Sequence, residues 1–474
     1  MFDYEFDDPA GGDRSDDLLE AYEAFCREGG AGFFSSDDLE YIATCYFEAG
    51  RFEDALEVVD RQLDQSPGSS DPWMRRGVLL NHLDRHEEAC VAYEEALTLN
   101  ALDPETLVNY GITLDTLGRS DEALTVFDRA LTVDPEASEA LFNRGIVLEK
   151  LERYEAAASA LEECAGLDAE HPEVWYELGY CYDQLGRRED SVWAYDRQIE
   201  VDPYSQNAWY NKGIVLNQMG RFEEAVAAYD FAVTIEDGFT SAWYNRGNAL
   251  ANLSDPQGAA ESYLKVLEHE DGDAATYYNL GLAYDDLGDY ETAVAYFKRA
   301  VQEDKTYSDA WYGMGCALDA RGLHSEAIDV FSQAIALSPH ESEYWHARAD
   351  TEYNAGRVDE ALRSYLRVVE IDASNKDAWL DLAETRLEMG HRAEALEAFS
   401  QVIRLDPESS EAHLRQAWAL ASVGQRENAV RSFRRAAELD PSRADEIRSA
   451  YPDLMGDART GSFPQGPVSG DERA

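Results

Sequence analysis

Every thirty-fourth residue of this chain falls in an equivalent place. From Leu39 the series runs Trp73, Leu107, Leu141, Trp175, Trp209, Trp243, Tyr277, Trp311, Trp345, Trp379 and His413, and the residue four further on is always Gly or Ala. Twelve beyond that small residue stands Ala, replaced once by Ser191. Four beyond again an aromatic recurs in ten of the twelve copies, with Val59 and Leu161 in the other two. No insertion or deletion breaks the phase from residue 36 to 443. A strict period of this length means one supersecondary unit stacked on copies of itself, because a single unit cannot bury its apolar face alone.

With each copy counted from its own first residue, starting at 36, the large apolar position is 4 and the small one is 8. Positions 4, 7, 8 and 11 fall on one stripe of a helix, which must bury against something. Positions 20 and 24 then belong to a second helix, and a small residue at 8 lets a bulky one at 24 approach closely. Glycine at position 15 in nine copies, Gly220 among them, stops the first helix. Pro67, Pro135, Pro203, Pro339, Pro407 and Pro441 close copies and Pro104 and Pro172 open them, so none sits where it would break a helix.

These residues resemble the tetratricopeptide repeat, with its W-x2-L-G-x2-Y, A-x3-F and P pattern, in twelve tandem copies over residues 36–443. The resemblance implies an all-α fold: a tetratricopeptide-repeat α-solenoid of paired antiparallel helices, coiled into a right-handed superhelix with a concave groove. Ala21 and Phe25 keep the second-helix phase, so residues 16–35 are expected to form an N-terminal capping helix and 444–456 a C-terminal one. The acidic stretch 1–15 and the tail 457–474 are expected to be disordered.

On a helical wheel, positions 5 and 6 turn away from the buried stripe toward the groove. Position 6 carries Asn109, Asn143, Asn211, Asn245 and Asn279, with Glu177 interrupting, and no Asn from the ninth copy onward. Position 5 carries Tyr176, Tyr210, Tyr244, Tyr278 and Tyr312. An Asn amide offers donor and acceptor together and can pair with a peptide backbone whatever its side chains. The pattern is similar to the asparagine ladder of the O-linked N-acetylglucosamine transferase superhelix, which implies a groove that holds extended polypeptide. The alternative is that these amides serve neighbouring helices. Asp183, Asp285, Asp286, Asp319, Asp350, Asp381 and Glu384 make the groove acidic, which favours a neutral or basic segment and disfavours a free carboxylate.

The net charge of −56, from 96 acidic and 40 basic residues, repels nucleic acid and anionic membrane. Its spread along the chain, with Arg far ahead of Lys, fits a salt-rich cytoplasm, where screening over about 3 Å would quench the self-repulsion. The acidic start "MFDYEFDD" has no signal-peptide core, and no run of about 18 apolar residues occurs, so a cytoplasmic protein is expected. The six scattered Cys are expected to be free. His82, His86 and Cys90 share a neighbourhood but lack the ligand count of a zinc site, so no metal is expected. No phosphate loop, dinucleotide fingerprint or nucleophile elbow occurs. The expected function is therefore a non-catalytic, cofactor-free adaptor for another protein. A scaffold that self-assembles through its convex surface is the alternative, and the sequence leaves the oligomeric state open.

Overall fold

The computed structural model describes residues 15–28 and 34–442. Residues 1–14 of the stretch 1–15 expected to be disordered, the tail expected to be disordered at 457–474 and the C-terminal capping helix expected at 444–456 lie outside the described residues. Among the described residues the regular structure is 25 α-helices, numbered α1 to α25 in chain order. After α1 (Ser15–Glu28) they come in pairs: a first helix of the length of α2 (Ser36–Glu48), a three-residue turn, and a slightly longer second helix such as α3 (Phe52–Gln65). The chain divides into two compact units at Ala242 and Trp243, and apart from α14 (Thr240–Asn252), which spans that division, each helix packs on its neighbours in sequence.

The steric logic of the period is visible inside each hairpin. A methyl group built on Gly213 of α12 (Gln206–Gln218) would lie 2.5 Å from the Tyr229 ring on α13 (Phe222–Ile235). The same collision recurs between Gly77 and Tyr93 in the first unit and between Gly315 and Phe331 in the second. The ring of the second helix thus packs directly on the backbone of the first, and the two helices can come close only where that backbone is bare. Ala at position 20 closes the other side and is fully buried in every copy that has it. Ser191 replaces it without penalty because its hydroxyl donates to the Gly179 carbonyl oxygen at 2.7 Å, satisfying the one polar group the exchange buries.

The turn after each first helix uses a left-handed residue. At the end of α2, Gly50 has φ +70°, and the Arg51 N–H closes back onto the Tyr46 carbonyl at 2.8 Å, the bond that ties off a helix of this type. Three copies put a side chain there instead: Asp84, Glu152 and Ser254, at φ 56° to 59°. Those turns carry the strain that glycine avoids, roughly 1 kcal/mol each.

In the first unit one continuous core runs from Tyr22 to Ala194. Tyr22 of α1 is buried at its head, edge-on to Phe34 at 5.2 Å and to Tyr46 at 6.4 Å. In the second unit the core is built in successive pieces around Phe297 and Phe331, Tyr365, Phe399 and Phe433. All six cysteines are free thiols. No helix among the described residues is long and apolar enough to cross a membrane.

Candidate functional site

The tyrosines at position 5 are held by the second helix of their own hairpin. In the first unit Tyr176 lies 5.9 Å from the Tyr195 ring and Tyr210 lies 6.1 Å from Tyr229. In the second, Tyr244 lies 5.7 Å from Tyr263, Tyr278 5.8 Å from Phe297 and Tyr312 5.9 Å from Phe331. Every pair is 19 residues apart, so one face of each tyrosine is spent on the hairpin and the hydroxyl is left at the edge. Further rings gather there: Tyr210 against Phe239 at 4.7 Å, Tyr278 against Tyr307 at 4.9 Å, and Tyr312 stacked on Tyr344 at 4.8 Å.

Position 6 reaches back to the previous copy. Asn211 donates from Nδ2 to the Tyr176 hydroxyl at 2.9 Å, and Asn279 donates to the Tyr244 hydroxyl at 3.0 Å. The step is 35 residues, from position 5 of one copy to position 6 of the next. Asn279 also reaches Asn248 Oδ1 at 3.4 Å, an oxygen that accepts from the Tyr263 hydroxyl at 2.8 Å. The amides therefore serve neighbouring helices in these two rungs. In each rung the amide nitrogen donates to a tyrosine of the previous copy, and in Asn279 it also reaches Asn248, so part of the amide's hydrogen-bonding capacity is spent inside the protein. Asn143 instead folds onto its own helix, donating to the Glu139 carbonyl at 2.8 Å, while Asn109 and Asn245 are half-buried. The same 35-residue rung opens the array as an ion pair, Arg75 with Glu40.

Glu177 occupies the Asn column on α10 (Val174–Gln184) and faces Glu149 from the copy before. Burial pushes its carboxyl up to about 8, and the Glu149 charge adds to the shift. At neutral pH Glu177 therefore carries a proton, which it donates to Glu149. Cys181 donates its thiol to the same Glu149 at 3.8 Å. A protonated carboxyl presents one donor and one acceptor, as an amide does, so the residue that interrupts the Asn column in sequence keeps its hydrogen-bonding character. Burial likewise raises the carboxyls of Asp183 and Asp285 on the same face.

One constellation was not expected as a group, although two of its members, Asp350 and Asp381, belong to the acidic groove residues. His346 stands in the tyrosine column on α20 (Ser342–Asn354), and Asp381 in the asparagine column on α22 (Lys376–Glu388). His346 Nε2 lies 3.0 Å from Asp381 Oδ2, and that hydrogen bond holds the imidazolium above the usual histidine range. Asp350, one turn along α20, lies 4.0 Å from the same nitrogen. The signal was present in the two columns, but it needed both to be read together across one repeat boundary. By contrast, His82, His86 and Cys90 do not converge: His82 stacks on Phe52 at 4.7 Å, His86 pairs with Asn81 at 3.1 Å, and Cys90 is buried in the core.

Three family models, each of the tetratricopeptide repeat, match the sequence. One covers residues 42–104, 111–172, 149–208, 176–238, 210–275 and 244–308, a second covers 286–350 and 353–419, and a third covers 410–443. No curated protein matches. Among solved structures, the chain is similar to YrrB, described as a tetratricopeptide protein with an unusual peptide-binding site. The identity is 21% over 40% of this chain and 96% of that one, with a TM-score of 0.36. It is also similar to MamA, at 26% identity over 34% of this chain and 94% of that one, with a TM-score of 0.34. A MamA fragment from Desulfovibrio magneticus RS-1 matches at 24% identity over 36% of this chain and 96% of that one, with a TM-score of 0.34.

Proposed function

This chain belongs to the tetratricopeptide repeat family and is an all-α protein-interaction scaffold, and from that premise we propose that it holds an extended, neutral or basic polypeptide segment along the face formed by positions 5 and 6 of its first helices. The observation that carries the reading is the tyrosine–asparagine rung, Tyr176 with Asn211 and Tyr244 with Asn279. Hydrogen bonding to a tyrosine hydroxyl fixes the direction of each amide, so within either unit a backbone laid beside that unit's rung would meet an oriented polar group at low entropic cost. The tyrosine rings beside each rung supply flat apolar area with a polar tip. The surrounding carboxylates disfavour an acidic segment and speed the approach of a basic one. The role is binding rather than catalysis, in a cytoplasm rich in salt.

A second reading, self-assembly or docking through the outer surface, is favoured by Trp193 and Phe231, which are 50% and 52% exposed on second helices of the first unit. Two measurements separate them. Screening the full-length chain on an array of neutral and basic peptides, then repeating it with Asn211, Asn245 and Asn279 all changed to Ala, should cost the binders at least tenfold in affinity while helicity is unchanged. Equal affinity in the triple variant would remove the rung from the binding surface. Sedimentation equilibrium over a wide concentration range tests the second reading, which predicts self-association that a Trp193→Ser, Phe231→Ser variant loses.

A further inference from the structure

We propose that His346, Asp350 and Asp381 form a site for one first-row divalent cation in the second unit, built from the same rung that elsewhere pairs tyrosine with asparagine. The backbone frame is unchanged. The His346 ring stands edge-on to Tyr365 at 5.9 Å, the same 19-residue contact that holds the tyrosines of position 5. What changes is the chemistry at the rung: a phenol and an amide, both poor metal ligands, give way to an imidazole and a carboxylate, both good ones.

The ligand atoms of the three side chains all lie within 4.8 Å of one another. Adjacent ligands at metal bonds of about 2.1 Å stand about 3.0 to 3.4 Å apart, from octahedral to tetrahedral coordination. His346 Nε2 and Asp381 Oδ2 already have that separation, at 3.0 Å. Asp350 must close from 4.0 Å by about 1 Å, within the reach of a side-chain rotation at a half-exposed position. A supporting contact is in place as well. Tyr365, on α21 (Val358–Ile371), donates its hydroxyl to Asp350 Oδ1 at 2.6 Å, the kind of outer hydrogen bond that orients a ligating carboxylate.

The charge around the site is one-sided. Asp350 faces His346 from its own helix and Asp381 and Asp377 from α22, while the group supplied by α21 is the neutral Tyr365. A cation seated on Nε2 takes the place of the imidazole proton and relieves repulsion among the carboxylates. One nitrogen with two carboxylate oxygens suits zinc, manganese or cobalt better than magnesium or calcium, which prefer oxygen alone. The side chains of His346 and Asp381 are 21% and 22% exposed and that of Asp350 48%, so water can fill the remaining positions.

The test uses the full-length chain in KCl with excess Mg²⁺, which occupies the diffuse field of the acidic surface. Co²⁺ is titrated by its visible absorption and Zn²⁺ by calorimetry. The decisive variant is His346→Tyr with Asp381→Asn, which copies the Tyr244–Asn279 rung and so keeps the packing, as a thermal melt will verify. Asp381→Asn alone, isosteric with the wild type, serves if the double variant is unstable. One saturable equivalent in the wild type, weakened at least tenfold in either variant and weakened also by Asp350→Asn, is the expected result. No saturable equivalent in the wild type, or the same affinity and stoichiometry in the variants, overturns the site.

Discussion

Gly213 offers the sharpest test of how the hairpins are held. A Cβ added there meets three atoms of the Tyr229 ring at 2.5, 2.8 and 2.9 Å, where ordinary contact begins near 3.4 Å. Ring and helix must therefore separate by up to about 1 Å, an overpacking cost of about 1–3 kcal/mol. Removing a glycine from mid-helix returns about 1 kcal/mol, so Gly213→Ala should lose about 1 kcal/mol net. Gly213→Val, with two more methyl groups and a branched Cβ, should lose about 3 kcal/mol. The second unit contains the opposite arrangement: Ala349 is fully buried in the hairpin whose ring is Tyr365. There the spacing already admits a methyl, and Ala349→Gly should cost about 2 kcal/mol from the void and the lost helix propensity together. Because stability in such an array is a sum of local terms, hydrogen exchange by mass spectrometry is a better assay than a global melt. Exchange in α12 and α13 should accelerate about fivefold for Gly213→Ala and about a hundredfold for Gly213→Val. Helices near the C-terminal end, such as α25 (Arg426–Leu439), should be unaffected. Unaltered protection in the valine variant, or stabilisation by Ala349→Gly, would refute the claim that ring against bare backbone sets the hairpin spacing.

Two further outcomes follow from the charges. The Glu177 carboxyl is raised from 4.5 to about 8 in the folded chain, so its contribution is fully present below about pH 4.5 and is lost as pH rises through about 8. Thermal stability should therefore fall between pH 5 and 8 by about 3 kcal/mol more in the wild type than in Glu177→Gln, and parallel pH profiles would exclude the shared proton. With a net charge of −56, unfolding midpoints should climb steeply from low salt to molar KCl, and a flat profile would show that the acidity is not an adaptation to salt.

Much of the hairpin was legible in the sequence because sterics leave little choice. A ring at position 24 demands Gly or Ala at position 8, and the period repeats that demand in plain view, as with Gly213 and Tyr229. The exposed face was less legible. A helical wheel turns Tyr176 toward the groove, but it cannot show that the ring also leans on Tyr195 or that the hydroxyl accepts from Asn211 in the next copy. Those partners depend on distances between copies, which a single-helix projection does not contain. Glu177 reads as a charge in an amide column, and only its burial beside Glu149 reveals a neutral acid. His346 and Asp381 lie beyond the last Asn, where the column looked finished, and their pairing emerges only when position 5 is matched with position 6 of the following copy.

That each helix touches little beyond its immediate neighbours in sequence has a mechanical consequence. Tension applied along either unit is passed from link to link, because among the described residues helices pack almost entirely on their neighbours in the series. Such a unit yields in instalments, one hairpin peeling while the next still holds, and it can wind back in the same order once the load is released. The weakest joints under that pull are the turns at Asp84, Glu152 and Ser254, where the backbone is already bent against its side chain.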